Sequence, residues 1–113
     1  MNESPIFSKT YDLLLWLIPK ATTFPRAHRF GLGERVVKLA LDFQESLISA
    51  GLKSGIARLE LLKTADVQLA KLRQMLRLCK DLELLSIGKY EYSAAQVVEI
   101  GKLLGGWLKK ANP

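Results

Sequence analysis

Past a cap at Ser54, no helix breaker interrupts the chain before Gly88, so a single helix is predicted from Ser54 to about Ser86. Its 33 residues would span roughly 50 Å at about 1.5 Å per residue. The apolar positions Ile56, Leu59, Leu61, Leu62, Val67, Leu69, Leu72, Met75, Leu76, Leu78, Leu82 and Leu85 cover most of its circumference when plotted at about 100° per residue. A helix that is apolar nearly all round is either central in its own bundle or buried against another subunit.

The rest of the chain supplies helices to pack around it. Ser4 followed by Pro5 reads as a helix start, with the hydroxyl serving the exposed amides and proline at the first helical position. That helix should run to about Ile18, because Pro19 and then Thr22, Thr23, Phe24 and Pro25 interrupt it and form a hinge. From Arg26 onward, Phe30, Val36, Leu39, Ala40, Phe43 and Leu47 recur at three-to-four spacing, which predicts an amphipathic helix. Gly31 and Gly33 weaken its beginning, and Gly51 is expected to end it in a left-handed conformation.

Ile87 to Glu91 reads as a connection, and Ser93, Ala94, Ala95, Gln96 matches a capping box with Tyr92 and Val97 as its staple. The last helix then presents Val97, Ile100, Leu103, Leu104, Trp107 and Leu108 on one face. Gly101, Gly105 and Gly106 each cost helix propensity, about 1 kcal/mol relative to Ala, and are best explained by close approach of another helix. Strand-like alternation and internal repeats are absent from the sequence. The prediction is an all-α, up-and-down four-helix bundle, formed as one domain over residues 1–113.

Composition decides what kind of bundle this is. With 49% apolar residues the chain has the hydrophobic surface to fold. At 113 residues, however, a protomer buries only about two thirds of its unfolded surface, so the apolar excess predicts a homo-oligomer. Seventeen Lys and Arg against eleven Asp and Glu leave a net charge of +6, which suits a polyanion or an acidic protein surface. The single cysteine, Cys79, excludes a disulfide framework, implies a reducing compartment and reads as a buried small hydrophobe. Glu3 lies in the opening segment and the apolar run Leu13 to Ile18 stops at Pro19, so neither a secretory signal nor a membrane span is expected. The expected location is cytoplasmic.

Catalytic groups do not converge in this sequence. The only histidine, His28, sits between Arg26 and Arg29 with no second ligand at metal spacing, and reads as a surface or capping group. Glu34 with Lys38, and Glu99 with Lys102, have the spacing of ordinary surface pairs. No Walker-type lysine follows Gly31 and Gly33. The expectation is therefore a non-enzyme without cofactor or metal.

The basic residues carry more information. Lys20, Arg26, Arg29 and Arg35 surround the hinge and the following helix start, where exposed amides add to a positive field able to hold phosphate. Arg73, Arg77 and Lys80 form a second stripe, open to two readings: contact with nucleic acid, or pairing with carboxylates of a neighbouring helix or subunit. Trp16, Trp107 and Tyr11 have apolar neighbours and read as core or interface residues rather than base-stacking platforms.

Three segments, F-P-R-A-H-R-F-G-L-G-E-R at Phe24 to Arg35, L-R-Q-M-L-R-L at Leu72 to Leu78, and G-K-L-L-G-G-W-L at Gly101 to Leu108, occur in order along nearly the whole chain. Together they resemble the Avd family, the accessory variability proteins of diversity-generating retroelements. These lie within a wider four-helix-bundle superfamily that includes proteins encoded in intervening sequences of bacterial 23S ribosomal RNA genes. The resemblance implies a homopentameric barrel that associates with the element's reverse transcriptase and with nucleic acid, template RNA or DNA, and supports mutagenic retrohoming without being the polymerase. By motif, Arg26 and Arg29 match the family's hinge arginines, and Arg73 and Arg77 its helix-three pair. The departure is a low charge and a short tail in which Lys109 and Lys110 are the only basic residues after Trp107, which implies weaker RNA affinity. The alternative is an intervening-sequence-type bundle, or a structural oligomer, with no reverse transcriptase partner.

Overall fold

The computed structural model describes residues 4–111, and helices account for nearly all of them. In chain order they are α1 (Pro5–Thr22), the single turn α2 (Arg26–His28), a π-helical turn (Arg29–Gly33), α3 (Glu34–Leu52), α4 (Gly55–Asp81) and α5 (Ile87–Ala111). Since α2 and the π turn run directly into α3, the molecule has four long helical arms. α1 packs against α3 and α5, and α4 packs against the same two, so sequential arms are neighbours around an up-and-down bundle. The long dimension, 45 Å, is set by α4, whose 27 residues rise about 40 Å.

Helix α1 begins as predicted with Pro5 in its first turn, although the Ser4 side chain makes no capping bond. It does not stop at Ile18. Pro19 sits inside the helix, which continues to Thr22. Proline deprives the carbonyl four residues earlier of its donor, and here that residue, Leu15, is 58% exposed, on a face where water can serve the carbonyl. The end comes at Thr23: the Thr22 and Thr23 hydroxyls donate to the Pro19 and Lys20 carbonyls at 2.9 and 2.7 Å. Phe24 is then buried ahead of Pro25.

The π turn changes which side chains face inward. Val36, Ala40, Phe43 and Leu47 are buried as the periodicity predicts, but Phe30 is 67% exposed. One extra residue in the wide turn rotates everything before it by about 100° relative to α3. Gly33 marks the tight spot, because a Cβ there would lie 3.2 Å from the Ala21 carbonyl oxygen and 3.3 Å from that of His28. Gly51, expected in a left-handed stop, is helical, and α3 ends one residue later. Among the described residues the left-handed ones are Gly55, which opens α4, and Glu83, which follows it.

Helix α4 is shorter than predicted and ends at Asp81. The Leu84 amide donates to the Cys79 carbonyl at 2.8 Å and the Glu83 amide to Lys80 at 2.9 Å, the paired closure of a Schellman motif with Glu83 in the place glycine usually takes. Its inward face holds Leu62, Leu69, Leu72 and Leu76, whereas Ile56, Val67 and Leu78 are exposed. Helix α5 starts six residues before the predicted box. The Ser86 hydroxyl accepts from the Lys89 amide at 3.2 Å, which is N-cap geometry. Ser93 lies inside the helix, buried, donating to the Tyr90 carbonyl at 2.8 Å. Between α3 and α4, Ser46 donates to Gln68 at 2.8 Å and pins their register.

Candidate nucleic-acid interface

The topology gathers cations at one end. The C-termini of α1 and α4, the hinge, and the starts of α3 and α5 all meet there. This end carries Lys20, Arg26, Arg29, Arg35, Arg77 and Lys80, together with Lys89, which sequence reading did not single out. Glu34, Asp81, Glu83 and Glu91 stand at the same end, so the local balance is positive but moderate.

Aromatic rings order several of these cations. The Lys20 ammonium is 5.2 Å from the Trp16 ring centre, and that ring lies 5.1 Å from Tyr92 across the α1–α5 contact. Lys80 sits 4.9 Å from Tyr90. Such contacts hold an ammonium without neutralising it. Arg29 Nε donates to the Phe24 carbonyl at 3.3 Å, tying the guanidinium to the hinge. Arg26 and Arg35 are exposed and form no ion pair among the described residues. Arg77 and Lys80 share the carboxylate of Asp81, at 4.0 and 3.4 Å.

The remaining predicted residues lie elsewhere. Arg73 is further down α4, in a groove against α5 with Asp66, Val98, Gly101 and Lys102. Lys109 and Lys110 occupy the last turn of α5, at the opposite end of the bundle. The expected pairs Glu34–Lys38 and Glu99–Lys102 are not formed. Lys38 reaches Asp42 at 2.9 Å instead, and that hydrogen bond raises the lysine pKa. At the far end, sequence reading passed over Arg58, whose Nε donates to the Ala50 carbonyl at 3.0 Å and whose guanidinium lies 5.8 Å from the Trp107 ring. No short-range spacing could reveal that pair, because the two residues belong to different helices.

Cys79 is fully buried, and burial pushes its thiol up to about 11, away from the reactive thiolate. Among the described residues no three His, Cys, Asp or Glu side chains are placed to hold a metal ion, and no helix is long and apolar enough to cross a membrane.

The model of the bAvd-like family matches residues 5–111, from the first residue of α1 to the last of α5. The chain belongs to the bAvd-like family. No curated protein matches it. Among solved structures, this bAvd-like chain is similar to a protein of unknown function from the S23 ribosomal protein family of Bacteroides thetaiotaomicron VPI-5482, with a TM-score of 0.86 at 15% identity. The match covers 96% of this chain and 99% of that one. At that identity the likeness establishes the four-helix fold and nothing finer. Both findings agree with the resemblance drawn from the hinge, α4 and α5 segments.

Proposed function

We propose that this bAvd-like protein is a non-catalytic accessory subunit of a diversity-generating retroelement. In this reading it acts in the cytoplasm as a homopentamer that binds a reverse transcriptase and its template RNA, and supports mutagenic retrohoming. The observation that supports the reading is the hinge end, which carries Lys20, Arg26, Arg29, Arg35, Arg77 and Lys80, with Lys20 over Trp16 and Lys80 over Tyr90. A cationic surface of this kind can track a phosphate backbone, with the rings serving to order the lysines.

A single protomer, at +6, is a modest electrostatic attractor. Five copies would carry about +30 on one particle, so assembly multiplies a weak field into one that holds a polyanion. Binding of this kind engages phosphate, is largely blind to base sequence, and leaves specificity to the polymerase and the RNA fold. RNA retention in a mobility-shift assay should fall steeply between about 50 and 200 mM salt, as expected when counterion release drives binding. The triple substitution Lys20→Ala/Arg26→Ala/Arg29→Ala should flatten that dependence. Salt-independent retention would overturn the phosphate mechanism.

The second reading is an intervening-sequence-type bundle, or a structural oligomer, with no reverse transcriptase partner, and the four-helix fold is compatible with it as well. Co-expression with a reverse transcriptase encoded beside it separates the two. Co-purification of the polymerase supports the first, and an encoded neighbour that is not a polymerase supports the second.

A further inference from the structure

The end of the bundle remote from the hinge holds a cavity of about 580 Å³, in the range that accepts a small ligand. Ile6, Phe7, Leu103 and Trp107 form its apolar wall, and Arg58, Lys102 and Lys110 stand around it. No described lining residue is a carboxylate. Gly106 contributes no side chain, and a Cβ there would meet nothing within 4 Å.

The cations are poised rather than spent. Neither Lys102 nor Lys110 forms an ion pair among the described residues. Arg58 is held through Nε to the Ala50 carbonyl at 3.0 Å and lies 5.8 Å from the Trp107 ring, a hold that uses only one edge of the guanidinium. Fixing the side chain beforehand lowers the ordering cost when an anion arrives. The Phe7 and Trp107 rings meet edge-on, with centres 5.8 Å apart, so two aromatic rings stand in the apolar wall beside Ile6 and Leu103. A doubly charged phosphate matches several cations better than a carboxylate does, and a planar ring matches aromatic walls better than an acyl chain.

We infer that this cavity binds a nucleotide, its phosphate held by Arg58, Lys102 and Lys110 and its base against Phe7, Leu103 and Trp107. The ligand chemistry is shared by a free mononucleotide and by the 5′-phosphorylated end of a strand. The site is separate from the hinge-end cations and does not depend on them.

The test is calorimetric titration of the whole protein with adenosine monophosphate, repeated with inorganic phosphate and with adenosine. Saturable binding of the monophosphate is expected, at least about tenfold tighter than either fragment. Fluorescence of a Trp16→Phe variant, in which Trp107 is the sole tryptophan, should change along the same curve. The double substitution Lys102→Ala/Lys110→Ala, at exposed positions, should weaken binding at least about tenfold while the helical circular dichroism stays intact. Absence of saturable binding overturns the inference, as does binding that survives the double substitution or is matched by phosphate alone. Oligoadenylates with and without a 5′-phosphate assign the source. Preference for the phosphorylated strand over the mononucleotide indicates a strand end, and equal binding indicates a free nucleotide.

Discussion

Glu83 shows how much a single backbone conformation decides. Its φ of 61° places a Cβ against the neighbouring carbonyl at a cost of about 1 kcal/mol, yet the turn requires it, because this residue closes α4 and lets the Leu84 and Leu85 amides both reach the Cys79 carbonyl. Glu83→Gly should therefore raise stability by about 1 kcal/mol, offset in part by glycine's freedom in the unfolded chain. A urea-denaturation midpoint that stays put or falls would contradict this account. One turn earlier, burial lifts the Cys79 thiol from 9.0 to about 11. The folded state holds that proton more firmly than the unfolded chain, so the contribution is complete below pH 9 and disappears as pH rises through 11. It amounts to roughly 2–3 kcal/mol. The stability gap between the wild type and Cys79→Ala should shrink by about that much across the window, and a constant gap would show that the thiol does not titrate this way.

Helices reveal their faces in sequence more readily than their ends. The inward side of α3, with Val36, Ala40, Phe43 and Leu47, was legible because apolar spacing reports a periodic surface directly. Ends depend on local bonds that alternative residues can supply. Pro19 read as a stop, but a proline whose orphaned carbonyl faces water is tolerated. The stop after Asp81 was invisible because a glutamate fills a glycine's place. Ser93 matched a capping box in letters, whereas the working cap is Ser86, seven residues earlier. Ser86→Ala should cost about 1 kcal/mol, while Ser93→Ala, which removes a local hydroxyl bond inside the helix, should cost about half that or less. Thermal unfolding of the two variants decides it, and the reverse order would restore the later start. The candidate interface divides in the same way. Lys20, Arg26, Arg29 and Arg35 are close in sequence and are grouped around the hinge by it, but which end of α4 comes to them, with Arg77 and Lys80, depends on how the arms turn back on one another.

At the scale of the whole molecule, the unresolved balance is between apolar surface and the interior available to hide it. Tyr11, Leu15, Phe30, Ile48 and Leu52 all remain exposed, and they belong to α1, the π turn and α3, which are neighbours. Tyr11 and Ile48 line one groove between these arms, and Phe30, Ile18, Val37 and Leu41 line another nearer the hinge. Apolar grooves of this kind on neighbouring arms are costly to leave in water and are where we expect a second copy to dock. Gly105 on α5 meets no packed atoms within the protomer, so the close approach expected there would also have to come from outside it. Analytical ultracentrifugation at micromolar concentration should find an oligomer. Leu15→Glu/Ile48→Glu, which places charge on exposed positions and leaves the core untouched, should reduce it to protomers with unchanged helicity. In the proposed mechanism RNA retention draws on the summed charge of an assembly, so the same variant, which keeps every hinge-end cation, should lose affinity at 150 mM salt by on the order of tenfold or more, and by more than a Lys9→Glu variant that adds negative charge without loss of assembly mass. If the charged variant keeps the parent's mass, this face is not the subunit contact. If the parent itself sediments as a protomer, the charge-multiplication mechanism fails with it.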